Sequence, residues 1–228
     1  MARIAVIPAR GGSKRLPRKN VALLNGQPLV AYSIEVAKAS QLFSRVIVST
    51  EDEEIAAIAA KHGAEIVMRP EHLADDQTPV VDVCLHALQT LAAKGKSPVS
   101  FCCIYATAVF LVPSDLVENE KKLTSSNAVM GVSAYPIHPF KALVETDGCL
   151  VPLWPEKNAR KSQTFPNAFA SNGTFYWRRT DDFLKSPGFY SDDLVGHLIP
   201  AQRAVDIDTM EDLKHARLLA KLNDQSCR

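Results

Sequence analysis

The sequence lacks a strong net charge and a long apolar run, and both absences exclude classes of function. The 228 residues carry a formal net charge of +1 at pH 7, so any positive field must be local. No apolar run approaches the roughly 18 residues of a membrane span, and the opening MARIAVIPAR shows no signal-peptide pattern. We therefore expect a protein that binds neither nucleic acid nor membrane.

Cysteine and histidine are too scattered to predict a disulfide framework or a zinc site. No Cys-x-x-Cys pair occurs, and the 6 histidines stand singly. The 5 cysteines are odd in number and irregularly spaced: Cys84, Cys102, Cys103, Cys149 and Cys227. We expect reduced, buried thiols and therefore a cytoplasmic protein.

Apolar runs alternate with helical patterns through the first half of the chain. The predicted strands are 3–7, 45–49, 64–67 and 101–104, and a further strand signal follows at 174–177. The predicted helices are 28–39, a helix capped by Asp52 and stopped at Gly63, 78–94 and 209–222. This alternation predicts an α/β fold in one domain over 1–228, with a mostly parallel sheet and helices on both faces. Such sheets bind ligands beyond the carboxyl ends of their strands.

The pattern changes after about residue 135. The stretches 135–141 and 151–155 are rich in proline and aromatic residues and have weak periodicity. They predict an insertion outside the main sheet at about 136–170. Its large apolar side chains would need covering, either at a subunit interface or by packing of a hairpin on its own domain.

The loop after the first predicted strand, IPARGGSKRLPRKN, concentrates positive charge. Five of the ten residues from Arg10 to Lys19 are cationic and none is acidic. Gly11 and Gly12 permit a sharp turn that presents N–H groups to an anion, with Lys14 close by. The loop matches neither G-x-x-x-x-G-K-[ST] nor G-x-G-x-x-G, which weighs against ATPase and dinucleotide functions. The alternative is a solvated turn with glycine at positive φ, but the cluster of cations favours a triphosphate site.

A second candidate site is AVDIDT, near the end of the chain. Asp206 and Asp208, two positions apart in extended chain, point the same way, which suits carboxylates that share one divalent cation. Thr209 would cap the helix that follows. The alternative is that Asp208 or Thr209 is only a cap and Asp206 a surface charge. The pattern gives Arg15 and Arg18 no role, and we expect both to be solvated.

Six motifs occur in order along nearly the whole chain: IPARGGSKRLPRKN, RPEHLADD, CCIYATA, HPFKAL, NGTFYW and AVDIDTMEDL. Together they resemble the sugar-acid cytidylyltransferases (CMP-sugar-acid synthetases), which include the acylneuraminate enzymes. Within that family, CCIYATA and FYW favour the branch that acts on pseudaminic acid. The resemblance implies a Rossmann-like nucleotidyltransferase fold and a homodimer formed through the mid-chain insertion. It also implies CTP and a nonulosonic acid as substrates, with Mg²⁺ as cofactor.

The resemblance further implies roles for individual positions. The CTP phosphates and ribose would be held by Ala9, Arg10, Gly11, Gly12, Ser13, Lys14, Lys19 and Asn20. Near the nucleotide would lie Arg69, Asp76 and Thr78. The sugar acid would face Tyr105, Thr107, Lys141, Gln163 and Asn172. The metal would be bound by Asp206 and Asp208.

Three positions depart from the family pattern. Val109 follows YATA where a proline is usual, and Lys161 and Thr164 stand where the family run has arginine and aspartate. Lysine cannot make the bidentate fork that arginine offers a carboxylate, so the sugar's identity stays open.

The expected reaction is attack by the sugar's anomeric hydroxyl on the α-phosphorus of CTP, with release of pyrophosphate. Mg²⁺ at the aspartates would bring the α-phosphate and the hydroxyl together, and Arg10, Lys14 and Lys19 would stabilise charge on the pyrophosphate. No histidine lies in a motif that would make it the base, which leaves a metal-bound hydroxyl or Asp208. The alternatives are a neuraminate, legionaminate or Kdo enzyme, or a non-catalytic nucleotide-binding protein of the same fold.

Overall fold

The computed structural model describes residues 2–95 and 97–226. Its strands are β1 (Arg3–Pro8), β2 (Leu23–Leu24), β3 (Gln27–Pro28), β4 (Arg45–Thr50), β5 (Glu65–Met68), β6 (Ser100–Ile104), β7 (Ala128–Ala134), β8 (Leu143–Thr146), β9 (Cys149–Pro152), β10 (Phe169–Arg179) and β11 (Val195–Leu198). Its α-helices are α1 (Leu29–Ala39), α2 (Glu53–Lys61), α3 (Val80–Ala92), α4 (Pro113–Glu120), α5 (Pro155–Asn158), α6 (Thr180–Lys185) and α7 (Met210–Ser226).

The central sheet has seven strands in the order β11-β7-β10-β6-β1-β4-β5. β1 pairs in parallel with β4 and β6, β4 with β5, and β11 with β7. Only β10 runs antiparallel to its neighbours β6 and β7 among the described strands of this sheet. The predicted mostly parallel sheet is therefore confirmed, and the antiparallel strand is a feature that the sequence pattern did not predict.

The two faces of the sheet are covered by different helices. Ile4 and Val6 of β1 pack in a core cluster with residues of α3, whereas Ala5 and Ile7 pack with residues of α1 and α2. Successive side chains of a strand point to opposite faces, so one unbroken apolar run serves both layers. This arrangement confirms helices on both faces of the sheet.

Two helix starts follow the capping chemistry expected from the sequence. Asp52 Oδ1 accepts a hydrogen bond from the Ile55 amide at 2.9 Å and caps α2, and Gly63 ends that segment with φ +83°. At α7, Thr209 Oγ1 accepts from the Asp212 amide at 3.2 Å, and Asp212 Oδ2 accepts from the Thr209 amide at 2.8 Å. This reciprocal pair is a capping box, and it fixes the chain just after Asp208.

The segment between β7 and β10 forms a separate two-stranded sheet from β8 and β9. Asp147 and Gly148 connect these strands with φ values of 52° and 75°, as a two-residue hairpin turn with positive φ at both positions requires. Every residue of β8 and β9 is exposed. A small aromatic cluster packs beside the hairpin: His138, Phe140, Trp154 and Phe165.

The thiols divide into buried and exposed groups. Burial is confirmed for Cys84, Cys102 and Cys103, but it is wrong for Cys149, which lies on the exposed hairpin. Cys227 lies outside the described residues.

Within residues 2–95 and 97–226, no helix combines the length and apolar character that a membrane crossing requires.

Candidate active site

A cleft of about 260 Å³ opens beyond the carboxyl ends of β1 and β6. Two of its walls come from the loop after β1 and the loop after β6, and a third comes from the segment between β5 and α3. The cleft is lined by Pro8, Arg10, Lys19, Asn20, Arg69, Leu73, Asp75, Asp76, Thr78, Val80, Val83, Tyr105, Ala106 and Thr107. Eight of the predicted site residues are therefore gathered at the sheet edge where ligands of parallel sheets bind.

Arg10 and Lys14 converge on one carboxylate. Arg10 Nη1 lies 2.7 Å from Asp76 Oδ1, and Lys14 Nζ lies 2.5 Å from Asp76 Oδ2. Hydrogen bonds from Lys14 and then Arg10 lower the pKa of Asp76. Two cations are thus held side by side at the cleft, in positions where phosphate oxygens could replace the carboxylate.

Lys19 and Arg15 converge on a second carboxylate. Lys19 Nζ lies 2.8 Å from Asp208 Oδ1, and Arg15 Nη2 lies 2.7 Å from Asp208 Oδ2. Desolvation opposes ionisation of Asp208, yet the hydrogen bond from Lys19 and the charge of Arg15 lower its pKa overall. Arg15 remains 69% exposed, so the expectation that it is solvated is confirmed, and this ion pair is a role that the sequence pattern did not assign to it. Lys19 also lines the cleft and so connects Asp208 to it.

Asp206 and Asp208 flank a buried residue, as the extended pattern predicts. The Ile207 side chain is fully buried, whereas its two neighbours reach solvent. A methyl group built on Gly173 would lie 3.8 Å from Asp206 Oδ2 and 3.5 Å from Tyr105 Cδ2. This places Asp206 beside Tyr105, a residue of the cleft lining.

The chemistry of this aspartate pair fits Mg²⁺. Asp206 is exposed beside Tyr105, yet desolvation and then the charge of Asp208 raise its pKa, and a divalent cation would relieve that repulsion. Among the described residues, no three His, Cys, Asp or Glu side chains gather as a metal cluster. Phosphate oxygens and water would have to complete the coordination, as Mg²⁺ commonly requires with one or two carboxylates.

An apolar cluster joins the basic loop to the aspartate segment. Leu16 and Leu24 pack with Ile207 and Leu213, and all four are buried. Val109, where the family pattern has proline, is buried in the same cluster. The departure at this position is thus accommodated by apolar packing that fixes Ile207 between the two aspartates.

Glu51 is a site residue that the sequence analysis missed. Its Oε1 accepts a hydrogen bond from the Gly11 amide at 2.7 Å, and its Oε2 accepts from Arg69 Nη2 at 2.8 Å and Nε at 3.0 Å. Arg69 is almost completely buried, so this charge-assisted pair orders it at the cleft. Its position in the sequence could have identified it, because Glu51 directly follows β4 at the carboxyl edge of the sheet, where ligands bind.

Arg18 anchors the far end of the basic loop. It binds the carboxylates of Asp52 and Glu54 at the start of α2. Its side chain is still exposed, so the expectation that it is solvated is confirmed, but the sequence pattern did not predict this anchoring role. Asn20 is buried and donates from Nδ2 to the Arg10 carbonyl at 2.8 Å, which ties the loop to itself.

The small residues of the loop show no glycine-specific backbone. Neither Gly11 nor Gly12 has a left-handed φ, in contrast to the solvated-turn alternative. Ala9 is buried and donates from its amide to the Ser49 carbonyl at 3.0 Å, and the Ser13 amide donates to the Gly11 carbonyl at 3.1 Å.

Tyr105 and Thr107 occupy the wall that follows β6. The Tyr105 amide donates to the Thr174 carbonyl at 3.1 Å, and its carbonyl accepts from Ser33 Oγ at 2.7 Å. Its ring lies 5.5 Å from that of Tyr176, and desolvation raises the pKa of its phenol well above the usual range. Thr107 is buried in the same wall. Tyr105 therefore presents a neutral ring and hydroxyl at the cleft.

Three of the residues that we expect to bind the sugar acid are not part of the cleft lining and lie elsewhere among the described residues. Lys141 Nζ donates to the backbone carbonyls of Asn158 at 2.5 Å and Arg160 at 2.7 Å within the insertion. Gln163 lies in an exposed turn. Asn172 lies on β10, where its Oδ1 accepts from Thr174 Oγ1 at 2.6 Å. Their contact with the sugar stays a prediction.

Comparison with known proteins supplies the family. The sequence model of the cytidylyltransferase family matches residues 4–225. The chain is 33% identical over 232 residues to pseudaminic acid cytidylyltransferase of Campylobacter jejuni, covering 99% of each chain. It is 30% identical over 239 residues to CMP-N,N'-diacetyllegionaminic acid synthase of Legionella pneumophila, covering 98% of each chain.

A solved structure gives the same fold. CMP:2-keto-3-deoxy-manno-octonic acid synthetase, complexed with CTP, is similar with a TM-score of 0.70 at 16% identity. The alignment covers 98% of this chain and 100% of that chain. The nucleotidyltransferase fold expected from the motifs is therefore confirmed. The chain belongs to the cytidylyltransferase family and is a nucleotidyltransferase.

Proposed function

We propose that the chain transfers CMP from CTP to the anomeric hydroxyl of a nonulosonic acid, with pseudaminic acid preferred, and releases pyrophosphate. The observation that carries this proposal is the two-part site. Arg10, Lys14 and Lys19 lie at one sheet edge, and the ion pair between Lys19 and Asp208 joins the aspartates to it. The relative that acts on pseudaminic acid, 33% identical over its full length, supports the choice of sugar.

The basic loop would receive the triphosphate by exchange of partners. In the structure, the carboxylate of Asp76 is bound by Arg10 and Lys14, which shows that both side chains reach a single anion. Phosphate oxygens would take over these contacts when CTP binds. The same cations would then stabilise the charge that grows on the departing pyrophosphate, so positioning and charge account for most of the catalysis.

Asp206 and Asp208 would hold Mg²⁺, which supplies positive charge and Lewis acidity at the α-phosphate when bound. Lys19 and Arg15 keep Asp208 in its ionised form and fix both of its oxygens. Tyr105, whose ring lies beside Asp206, would form the wall against which the sugar acid is oriented.

We propose a homodimer formed through the insertion at 136–170. The β8–β9 hairpin exposes Leu143 by 51%, Leu150 by 68% and Val151 by 40%, and an uncovered two-stranded hairpin is only marginally stable in water. Light scattering should find a dimer that Leu150→Glu dissociates, while Leu218→Glu on exposed α7 leaves it intact. A monomeric wild type would contradict the proposal.

The free thiols support a reducing compartment such as the cytoplasm.

Pyrophosphate release tests the choice of sugar. Purified protein, CTP and Mg²⁺ would be combined in turn with pseudaminic, N-acetylneuraminic, legionaminic and Kdo acids. We expect the highest kcat/KM with pseudaminic acid. A higher value with another sugar acid would overturn the sugar assignment and keep the reaction, whereas CTP binding with no release from any sugar would favour a non-catalytic nucleotide-binding protein.

A further inference from the structure

The segment that carries Asp206 and Asp208 has no regular secondary structure over residues 204–208. Its carboxylates must therefore be placed by contacts at its ends and in its middle. The Asp212 carboxylate accepts from the Asp208 amide at 3.0 Å and so fixes the end that leads into α7. Ile207 anchors the middle in the apolar cluster. The end that enters the segment needs an anchor of its own.

Arg203 fixes that entry. Its amide donates to the Pro200 carbonyl at 2.8 Å, which closes a tight turn three residues before Asp206. Its guanidinium binds both oxygens of Asp115, with Nη1 2.5 Å from Oδ2 and Nη2 3.2 Å from Oδ1. Nη1 also donates to the Phe110 carbonyl at 3.4 Å. The fork of an arginine holds a carboxylate in one orientation, which a lysine cannot reproduce.

Asp115 is a rigid partner for this arginine. It lies on α4 and is only 4% exposed. Its Oδ2 also accepts from the Val112 amide at 3.1 Å, and its Oδ1 lies 3.2 Å from His197 Nε2 on β11. The carboxylate is therefore bound from α4, from an edge strand of the sheet and from the aspartate segment. Arg203 is thus fastened to the body of the fold and not to a mobile surface group.

We propose that Asp115 and Arg203 are positioning residues for metal binding at Asp206 and Asp208. They would act without touching the metal, by holding the segment so that Asp206 stays beside Tyr105 and Asp208 stays on Lys19, two residues of the cleft lining. The inference rests on the proposed metal role of Asp206 and Asp208. Loss of a group hydrogen-bonded to a metal ligand typically costs about 10–100-fold in metal affinity or activity, and Asp115 and Arg203, which act on the ligands through the backbone, should fall at the lower end of that range.

The same helix offers a matched control. Glu120 at the other end of α4 accepts from Arg3 Nε at 2.5 Å, in an ion pair at the start of β1. That end of β1 is opposite the edge where the cleft opens. Glu120→Gln therefore removes an ion pair of α4 that does not lead to the aspartate segment.

The test measures how strongly Mg²⁺ tightens CTP binding, with no sugar acid present. Calorimetry gives the ratio of the CTP dissociation constant in EDTA to that in saturating Mg²⁺, for wild type, Arg203→Lys, Asp115→Asn, Glu120→Gln and Asp206→Asn. We expect Arg203→Lys and Asp115→Asn to reduce this ratio about tenfold. Glu120→Gln should leave it unchanged, and CTP affinity in EDTA should stay near that of wild type in Arg203→Lys, Asp115→Asn and Glu120→Gln.

Each outcome decides one step. A wild-type ratio in Arg203→Lys and Asp115→Asn, with a reduced ratio in Asp206→Asn, overturns the positioning role alone. A ratio of one in wild type, or an unchanged ratio in Asp206→Asn, overturns the metal role and the inference together. If burial makes Asp115→Asn fold poorly by circular dichroism, Arg203→Lys, which keeps the charge at a position only 26% exposed, decides the question.

Discussion

Replacing Gly11 with alanine would place a methyl group against the carboxylate of Asp52. The methyl carbon would lie 2.4 Å from Asp52 Oδ2 and 3.0 Å from Asp52 Cγ, closer than such atoms can approach. Asp52 cannot turn away freely, because its Oδ1 caps α2 at Ile55 and its carboxylate pairs with Arg18. The backbone at Gly11 is not left-handed, so the expected cost comes from steric contact, to which Arg18 Nη1 at 3.1 Å adds.

The magnitude follows from the two ways of relieving the contact. Losing the Asp52 cap costs about 0.5–2 kcal/mol. Shifting the loop instead strains a packed region, at a typical cost of about 1–3 kcal/mol. Because the structure relaxes by the cheaper route, we expect Gly11→Ala to lower the free energy of unfolding by about 0.5–2 kcal/mol. In a chain of this size that corresponds to a fall in Tm of about 1–8 °C.

Gly12→Ala is the matched control in the same loop. A methyl group on Gly12 meets no atom within 4 Å, so we expect a change within about 0.5 kcal/mol. Urea unfolding of both variants and wild type can be followed by the fluorescence of the buried Trp177. Equal stabilities of the two alanine variants would refute the packing described for Gly11.

Three further predictions concern charge and thiols. Asp76→Asn frees two basic side chains, so pyrophosphate should inhibit it at a several-fold lower concentration, and weaker inhibition would contradict the exchange of partners. The hydrogen bond from Arg18 lowers the pKa of Asp52, so the stability that this group contributes is present above about pH 4 and is lost as the pH falls through its folded pKa. Urea unfolding at pH 7 and pH 3 should show a smaller loss in Asp52→Asn than in wild type, and equal losses would contradict this. In a Cys227→Ser background, Cys149 should react rapidly with a thiol reagent and the three buried thiols only after unfolding, whereas a second fast thiol would contradict the packing.

The parallel half of the sheet could be predicted because its strands are buried on both faces. β1, β4 and β6 are therefore unbroken apolar runs, and the helices between them have clear stripes and caps. β11 is a short edge strand interrupted by Gly196 and His197, which gives almost no signal. β10 runs well beyond the predicted 174–177 and contains an irregularity between Ser171 and Tyr176. Its antiparallel direction depends on its partners and not on its own pattern.

The candidate site was predictable as a set of residue types but not as a network. Local sequence supplies the cations and the aspartates, whereas their pairing spans the chain: Lys19 and Asp208 lie 189 positions apart. Arg15 for this reason had no assigned role until the fold brought Asp208 to it. Asp115 belongs to no motif, and only its burial among donors from other elements reveals its connection to the site.

The fate of CTP in the complete reaction mixture tests the central claim most directly. Phosphorus NMR of wild type with CTP, Mg²⁺ and pseudaminic acid should show pyrophosphate and a CMP ester of the sugar appearing in equal amounts. The double variant Asp206→Asn/Asp208→Asn should still bind CTP and leave it intact. CTP that stays intact with wild type and every nonulosonic acid, or wild-type turnover by the double variant, would contradict the two-part site.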